Sequence, residues 1–295
     1  MKVLSFGSMN IDYVYSVPHI IQPGETLSSS GRKIFVGGKG LNQSVAMAKA
    51  GLPVYHAGMI GNDGALLRET LENSGVNTEN VLSADALSGH TVIQVDEDGQ
   101  NSIILFHGTN YMIDDSFIDS VLAHFEAGDL IVLQNEISSL QSVLVKAAEK
   151  GLYVVLNPSP FEEQLRTYPL DKVSLFMINE IEGAQISGES SEDPAAILDW
   201  FTAHFPVAEV ILTLGANGAW YSGSGERFYQ EAFRIKAVDT TSAGDTFSGY
   251  FIYGKVNGLS VPDALRLAAK ASSITCSRPG AAPSIPTLEE VTAAF

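Results

Sequence analysis

The sequence predicts an α/β fold: a mostly parallel sheet with helices on both faces, plus a small β-sheet lid. Three observations carry this. Short apolar runs alternate with stretches of helical spacing for most of the chain, the pattern of strand–helix–strand units. Two segments, 11–36 and 89–106, break that rhythm with alternating, turn-rich sequence. The 295 residues are 45% hydrophobic and 17% charged, which supplies a large core and argues against wholesale disorder.

Taken in order, "VLSF" (3–6) reads as the first buried strand. Residues 11–36 then read as the first lid insert, and "FVGGKGLNQSVAMAKAG" (35–51) as a glycine-rich turn into a helix that Gly51 stops. "HTVIQVD-EDGQ-NSIILF" reads as a hairpin and gives the second insert, 89–106. The two inserts together are expected to form a small antiparallel sheet. "LIVL" (130–133), "YVVL" (153–156), "LFMI" (175–178) and "EVILTL" (209–214) read as further buried strands. Between them, 138–151 begins with serine and ends with glycine around helical spacing. Asp193 and Pro194 open a second helix as cap and first helical residue. No repeat or low-complexity linker divides the chain, so 1–295 is expected to be one domain with lid inserts.

The net charge of −17 argues against nucleic acid or an anionic membrane as the main partner. A phosphate ligand would need locally placed donors. Cys276 is the only cysteine, so no intrachain disulfide forms and a reducing cytoplasm fits. Neither a signal peptide nor a membrane span is expected. The six histidines include no i,i+4 pair and have no cysteine partner, so a structural zinc site is not expected.

Three stretches carry chemistry. The glycines of 35–51 fail the P-loop pattern, since Lys33 stands where its first glycine belongs and Gly40 follows Lys39. Either they let a ligand approach the backbone beside Asn42, or they make a tight turn into the helix. "GSMNID" (7–12) places Asn10 and Asp12 past the end of the first strand, where ligands bind in open α/β sheets. Alternation puts both on one face, and together they offer donors and acceptors to adjacent sugar hydroxyls. Ordinary turn chemistry is the other reading. "VDTTSAGDTFSGYF" (238–251) puts small residues at a helix start, where free N–H groups make an anion site. A carboxylate at Asp245 would repel phosphate. It is therefore read as a general base, kept ionised by the helix terminus, or else as a plain first-turn acid.

"GGKGLNQ" and "DTTSAGDTFSGYF", in this order, resemble the ribokinase/PfkB carbohydrate kinase family, and "LNPSP", "NEIEGAQISG", "TLGANGAW" and "SRPGAAPSIP" extend the resemblance over nearly the whole chain. The resemblance implies a nucleotide-binding α/β fold with a β lid, and an ATP-dependent sugar kinase using Mg²⁺ and K⁺. It implies Asp245 as catalytic base, with the N–H groups of Ala243 and Gly244 as the anion hole. The sugar would be held by Asn10, Asp12, Gly38, Lys39, Asn42 and Glu136. Asn179 and Glu182 would work with Mg²⁺ and phosphate, and Thr213, Gly215 and Gly218 would line the nucleotide site. The monovalent cation would sit among Asp239, Thr241, Thr275, Arg278, Gly280 and Ser284, mostly on backbone carbonyls. D-Ribose is the expected sugar and a homodimer through the lids the expected assembly, with Ile34, Val36 and Val92 at the contact. Leu41, Ser44 and "FHGTNY" (106–111) depart from the family pattern near the sugar pocket, which leaves 2-deoxyribose, a nucleoside or a ketose open as substrates. A non-catalytic sensor is the remaining alternative.

Overall fold

The computed structural model describes all 295 residues, and each buried run becomes a strand. The first half runs β1 (Val3–Phe6), β2 (Asn10–Ser16), β3 (Gly31–Gly37), α1 (Lys39–Lys49), β4 (Val54–Ile60), α2 (Ala65–Asn73) and β5 (Asn77–Ser83). It continues with β6 (Gly89–Val95), β7 (Asn101–Phe106), α3 (Asp115–Leu122), β8 (Leu130–Gln134) and α4 (Leu140–Glu149). The second half runs β9 (Tyr153–Asn157), β10 (Leu175–Asn179), α5 (Glu180–Ser187), α6 (Pro194–His204), β11 (Glu209–Thr213), β12 (Ala219–Gly223) and β13 (Glu226–Gln230). Helices α7 (Ala243–Val256), α8 (Val261–Cys276) and α9 (Leu288–Ala293) complete it.

Nine strands form the large sheet, ordered β13-β12-β11-β10-β9-β8-β1-β4-β5. The strands from β5 across to β11 run parallel, while β12 and β13 close one edge antiparallel. Strand pleat sends alternate residues to opposite faces. Val3, Val132, Met177 and Ile211 join one apolar cluster with α1, α7 and α8. Leu4, Leu133, Ile178 and Leu212 join another with α3, α4 and α6. From β1 the chain progresses to β4 and β5 on one side, then returns to β8 and proceeds to β11 on the other. The C-terminal ends of β1 and β8 therefore flank a topological switch point, where such sheets open a crevice.

The second sheet, ordered β3-β2-β6-β7, corresponds to both inserts. Its outer ladders are antiparallel, as expected, but β2 and β6 pair in parallel. The expectation of a wholly antiparallel lid is corrected here. After β3 the chain passes through α1, β4 and β5 and re-enters the lid in the same direction as β2. The β6–β7 turn is set by Asp96, whose Oδ1 accepts from the N–H groups of Asp98 (3.0 Å) and Gln100 (2.8 Å).

Local signals at helix starts mostly hold. Asp193 caps α6 through Ala196 N–H (3.0 Å), with Pro194 at its first position. The serines before α4 do not cap it: Ser139 lies in the left-handed region and both hydroxyls donate to the Ile113 carbonyl. Helix α1 packs on α7 with Gly249 against Ala46, where an added Cβ would stand 2.8 Å from backbone atoms of Ala46 and Met47. No helix is long and apolar enough to cross a membrane.

Candidate active site

The chain ends of the parallel strands and the start of α7 enclose a cleft of about 230 Å³. Asn157, Asn179 and Thr213 reach it from the ends of β9, β10 and β11. Lys39 enters from α1 and Glu182 from α5, and Ser242, Ala243, Gly244 and Asp245 form the far wall. Seven residues expected from the sequence thus meet in one space: Lys39, Asn179, Glu182, Thr213, Ala243, Gly244 and Asp245.

Asp245 is held from below by two amides. Gln43 Nε2 donates to its Oδ1 (3.0 Å) and Asn42 Nδ2 to its Oδ2 (3.3 Å). Gln43 is itself oriented, because Gln134 Nε2 donates to its Oε1 (2.7 Å). Burial raises the carboxyl of Asp245 above its ordinary value, and the charge of Lys39 and the two amide donors offset only part of this. Burial thus opposes the ionisation expected from the helix terminus. Burial works against the charge of Lys39 in turn, but Asp245, Glu136 and Glu182 together hold it above the usual lysine value. The site is a buried carboxylate facing a buried ammonium.

The anion-site expectation is refined at the same corner. Ser242 takes the left-handed conformation (φ 60°) and starts α7 without a side-chain cap. The N–H of Ala243 is engaged by the Thr240 carbonyl (3.2 Å), so the free donors are Gly244 and Asp245 rather than Ala243 and Gly244. Ser242 Oγ and Asn42 Oδ1 are buried without any partner. Each costs about 1–3 kcal/mol when left so. The Ser242 hydroxyl, which lines the cleft, can donate to an anion, whereas the Asn42 amide oxygen needs a donor such as a ligand hydroxyl.

Asn179 and Glu182 make a reciprocal capping box on α5: Asn179 Oδ1 accepts from Glu182 N–H (2.8 Å) and Glu182 Oε2 from Asn179 N–H (3.0 Å). The N-x-x-E spacing therefore has a structural cause, and the atoms left over, Asn179 Nδ2 and Glu182 Oε1, are those that can serve the cleft. Gly215 and Gly218 sit in the turn between β11 and β12, outside the cleft lining. At Gly218 (φ 86°) a side chain would collide with the Gln230 carbonyl.

The remaining sugar-side residues cluster at the lid joint. Asn10 and Asp12 share one face of β2, as expected. Asp12 Oδ1 accepts from Thr91 Oγ1 (2.5 Å), and burial, with Glu136 adding to it, raises the Asp12 carboxyl. Glu136 Oε2 accepts from Ser8 Oγ and from Lys39 N–H (3.0 Å), tying the ends of β1 and β8 to α1. The glycines of this corner make room for neighbouring chain, as the tight-turn reading expects. Gly38 (φ 92°) faces the backbone of Ser8–Asn10 at 3.0–3.1 Å, and Gly37 faces the Asp12 carboxylate.

The segments proposed around a cation also come together in part. Asp239 accepts from the N–H groups of Thr241 (2.9 Å) and Gly280 (2.9 Å). Thr275 Oγ1 meets Thr246 Oγ1 (3.0 Å), next to Asp245 in sequence. The Arg278 guanidinium pairs with Glu290 (2.7 Å), and Ser284 Oγ donates to the Ala281 carbonyl (2.7 Å). Gln43, Gln134, Thr91 and Asn110 were not read from the sequence. Gln43 stood beside Asn42, and Asn110 lies inside the flagged "FHGTNY", but their partners are 80 to 200 residues away.

Residues 1–288 match the model of the pfkB family carbohydrate kinases. The ribokinase of Schizosaccharomyces pombe is 35% identical, covering 100% of this chain and 98% of its own. The ribokinase of Cryptococcus neoformans var. grubii serotype A in complex with ADP is 36% identical and superposes with a TM-score of 0.88, over 100% and 99% of the two chains. The Arabidopsis thaliana ribokinase complexed with ribose and ATP is 30% identical, with a TM-score of 0.87 over 99% and 97%.

Because the fold raises the Asp245 carboxyl, the folded chain binds that proton more tightly than the unfolded chain does. Above both values the carboxylate lowers stability, and the penalty is relieved as pH falls through the folded value. Asp245→Asn is therefore expected to raise the midpoint of thermal unfolding at pH 7, with the gain shrinking in acid. A midpoint that is unchanged or lower at pH 7 would contradict this balance.

Proposed function

The chain belongs to the pfkB family of carbohydrate kinases, and we propose that it transfers the γ-phosphoryl group of ATP to the primary hydroxyl of D-ribose, giving D-ribose 5-phosphate. The observation that carries this is Asp245, a buried carboxylate in reach of Lys39 and beside the two unpaired N–H groups that start α7. Its raised proton affinity suits a base that must take a hydroxyl proton near neutral pH. The Gly244 and Asp245 N–H groups, with Ser242 Oγ, accept the charge that grows on the phosphoryl oxygens, and Lys39 balances it. Asn10 and Asp12 hold the sugar hydroxyls, Asn10 facing the one at C2, while Asn42, Gly38 and Glu136 complete the sugar side. The ribokinases of similar sequence, one solved with ADP and one with ribose and ATP, support sugar and nucleotide alike.

No three His, Cys, Asp or Glu side chains converge as a metal site anywhere in the chain. Mg²⁺ arriving with a nucleotide needs only one or two carboxylates besides phosphate oxygens and water, which Glu182 can supply with Asn179 beside it. Bound there, it would neutralise phosphate charge. For K⁺, Asp239, which accepts from Gly280 N–H, and carbonyls of 239–241 and 275–284 would supply hard oxygen donors, and Thr275 and Ser284 are buried. The Arg278 side chain, paired with Glu290, would contribute only through its backbone. The lone Cys276 and the soluble character of both substrates suit the cytoplasm.

The lid supports a homodimer. Tyr13 pairs with both Ile34 and Val92, and Ile11 with Val36, so the three expected contact residues share one face, opposite Asp12. Val92 continues across to Ile104, which is 63% exposed, and Ile34 is exposed as well, so the outer part of this face is apolar and open, while Ile11 and Val36 pack on the core.

The deciding experiment compares kcat/KM on ribose, 2-deoxyribose, fructose and adenosine with ATP. Ribose should lead, and any other member exceeding it would replace the substrate. Asp245→Asn should lower kcat on ribose about 10²- to 10⁴-fold with little change in KM for ATP. Near-normal turnover would remove Asp245 as base. Replacing K⁺ by Na⁺ should cut the rate severalfold, and equal rates would exclude a K⁺ requirement. Sedimentation at micromolar concentration should give a dimer, which Ile104→Asp dissociates, and a monomeric wild type would refute the lid contact.

A further inference from the structure

Asn110 follows β7 at the lid joint and is 2% exposed. Its Oδ1 accepts from the Met9 N–H (3.1 Å), and its Nδ2 donates to the Met9 carbonyl (3.2 Å) and to Asn10 Oδ1 (2.8 Å). A backbone N–H and C=O cannot exchange roles. Turning the Asn110 amide over would set donor against donor and acceptor against acceptor, so it has one orientation. That orientation fixes Asn10 in turn. Its Oδ1 is engaged, and a flipped Asn10 would face the Asn110 NH₂ with its own. The Asn10 Nδ2 has no protein partner. Gly89 closes the junction from β6, where a side chain would fall on both amides.

We propose that Asn110 is a positioning residue that locks Asn10 as a hydrogen-bond donor, so that this subsite selects a substrate bearing an acceptor at the matching carbon. Asp12 has the complementary polarity: with Oδ1 engaged by Thr91, its Oδ2 is left to accept. Two residues apart on one strand face, a fixed donor and a fixed acceptor match a pair of neighbouring hydroxyls. The proposal rests on the sugar kinase reading above and specifies its selectivity.

The test measures kcat/KM on ribose, 2-deoxyribose, 2-deoxy-2-fluororibose and 2-amino-2-deoxyribose. The wild type should disfavour 2-deoxyribose by about 5- to 150-fold, the worth of one unmet buried donor. It should also prefer the fluoro sugar, which only accepts, to the protonated amine, which only donates. Asn110→Leu frees Asn10 to turn without adding charge, and should lower the fluoro-to-amine ratio severalfold through the sugar KM, leaving KM for ATP unchanged. Asn110→Asp, which can only accept from Asn10, should lower it further. A wild type that prefers the amine, or a ratio unmoved in folded Asn110→Leu, overturns the proposal. Because the wild-type panel alone can refute it, a variant that does not fold leaves it falsifiable. Absence of turnover on every sugar and nucleoside of both panels, by contrast, refutes the kinase reading.

Discussion

The close approach of α1 to α7 is the constraint on which the site depends. Gly249 lies against the backbone of Ala46 and Met47, so the two helices touch where any side chain would hold them apart. That contact brings Lys39, Asn42 and Gln43, at the start of one helix, over Asp245 at the start of the other. Two helix N-termini then face one cleft, and the unpaired N–H groups of α7 face the ammonium of α1. Each helix also packs on the same face of the sheet, so the apolar cluster that stabilises the fold sets the distance between the charged groups.

The electrostatics follow from the lack of water in that contact. A carboxylate removed from solvent loses hydration, and here Lys39 and two amides offset only part of that loss. The remainder is stored as a raised proton affinity, the property a base needs. The Ser242 hydroxyl, unpaired and buried at the cleft wall, is a further donor left over at the start of α7. A protein of net charge −17 can thus hold an anion, because the potential that matters is local.

Hydrogen bonds join the lid to this centre alongside the packing of Ile11, Tyr13 and Val36 on the core cluster. Glu136 bridges Ser8 and Lys39, Thr91 holds Asp12, and Asn110 holds Asn10 and Met9. The joint is built from short side chains and glycines because four chain crossings share it. Gly37, Gly38 and Gly89 each stand where a Cβ would strike a neighbouring strand or amide. The orientation of the sugar-side groups is thereby coupled to the geometry of the joint.

The parallel strands, the capped helices, the two lid inserts and the anion corner at 242–245 were legible in the sequence, because each depends on periodicity or chemistry within a few residues. Asp245, Asp12, Asn42 and Glu136 were singled out by the motifs that carry them. What only the tertiary structure decided was which atoms remain free. Ala243 N–H goes to Thr240, Glu182 and Asn179 cap each other, and the glycines of 37–40 make room for neighbouring chain. The parallel β2–β6 ladder and the amides of Gln43, Gln134 and Asn110 were likewise invisible. Local propensity names the residues, but a hydrogen bond between positions 43 and 245, or a carbonyl that crosses a glycine from another strand, depends on distances that only the folded chain sets.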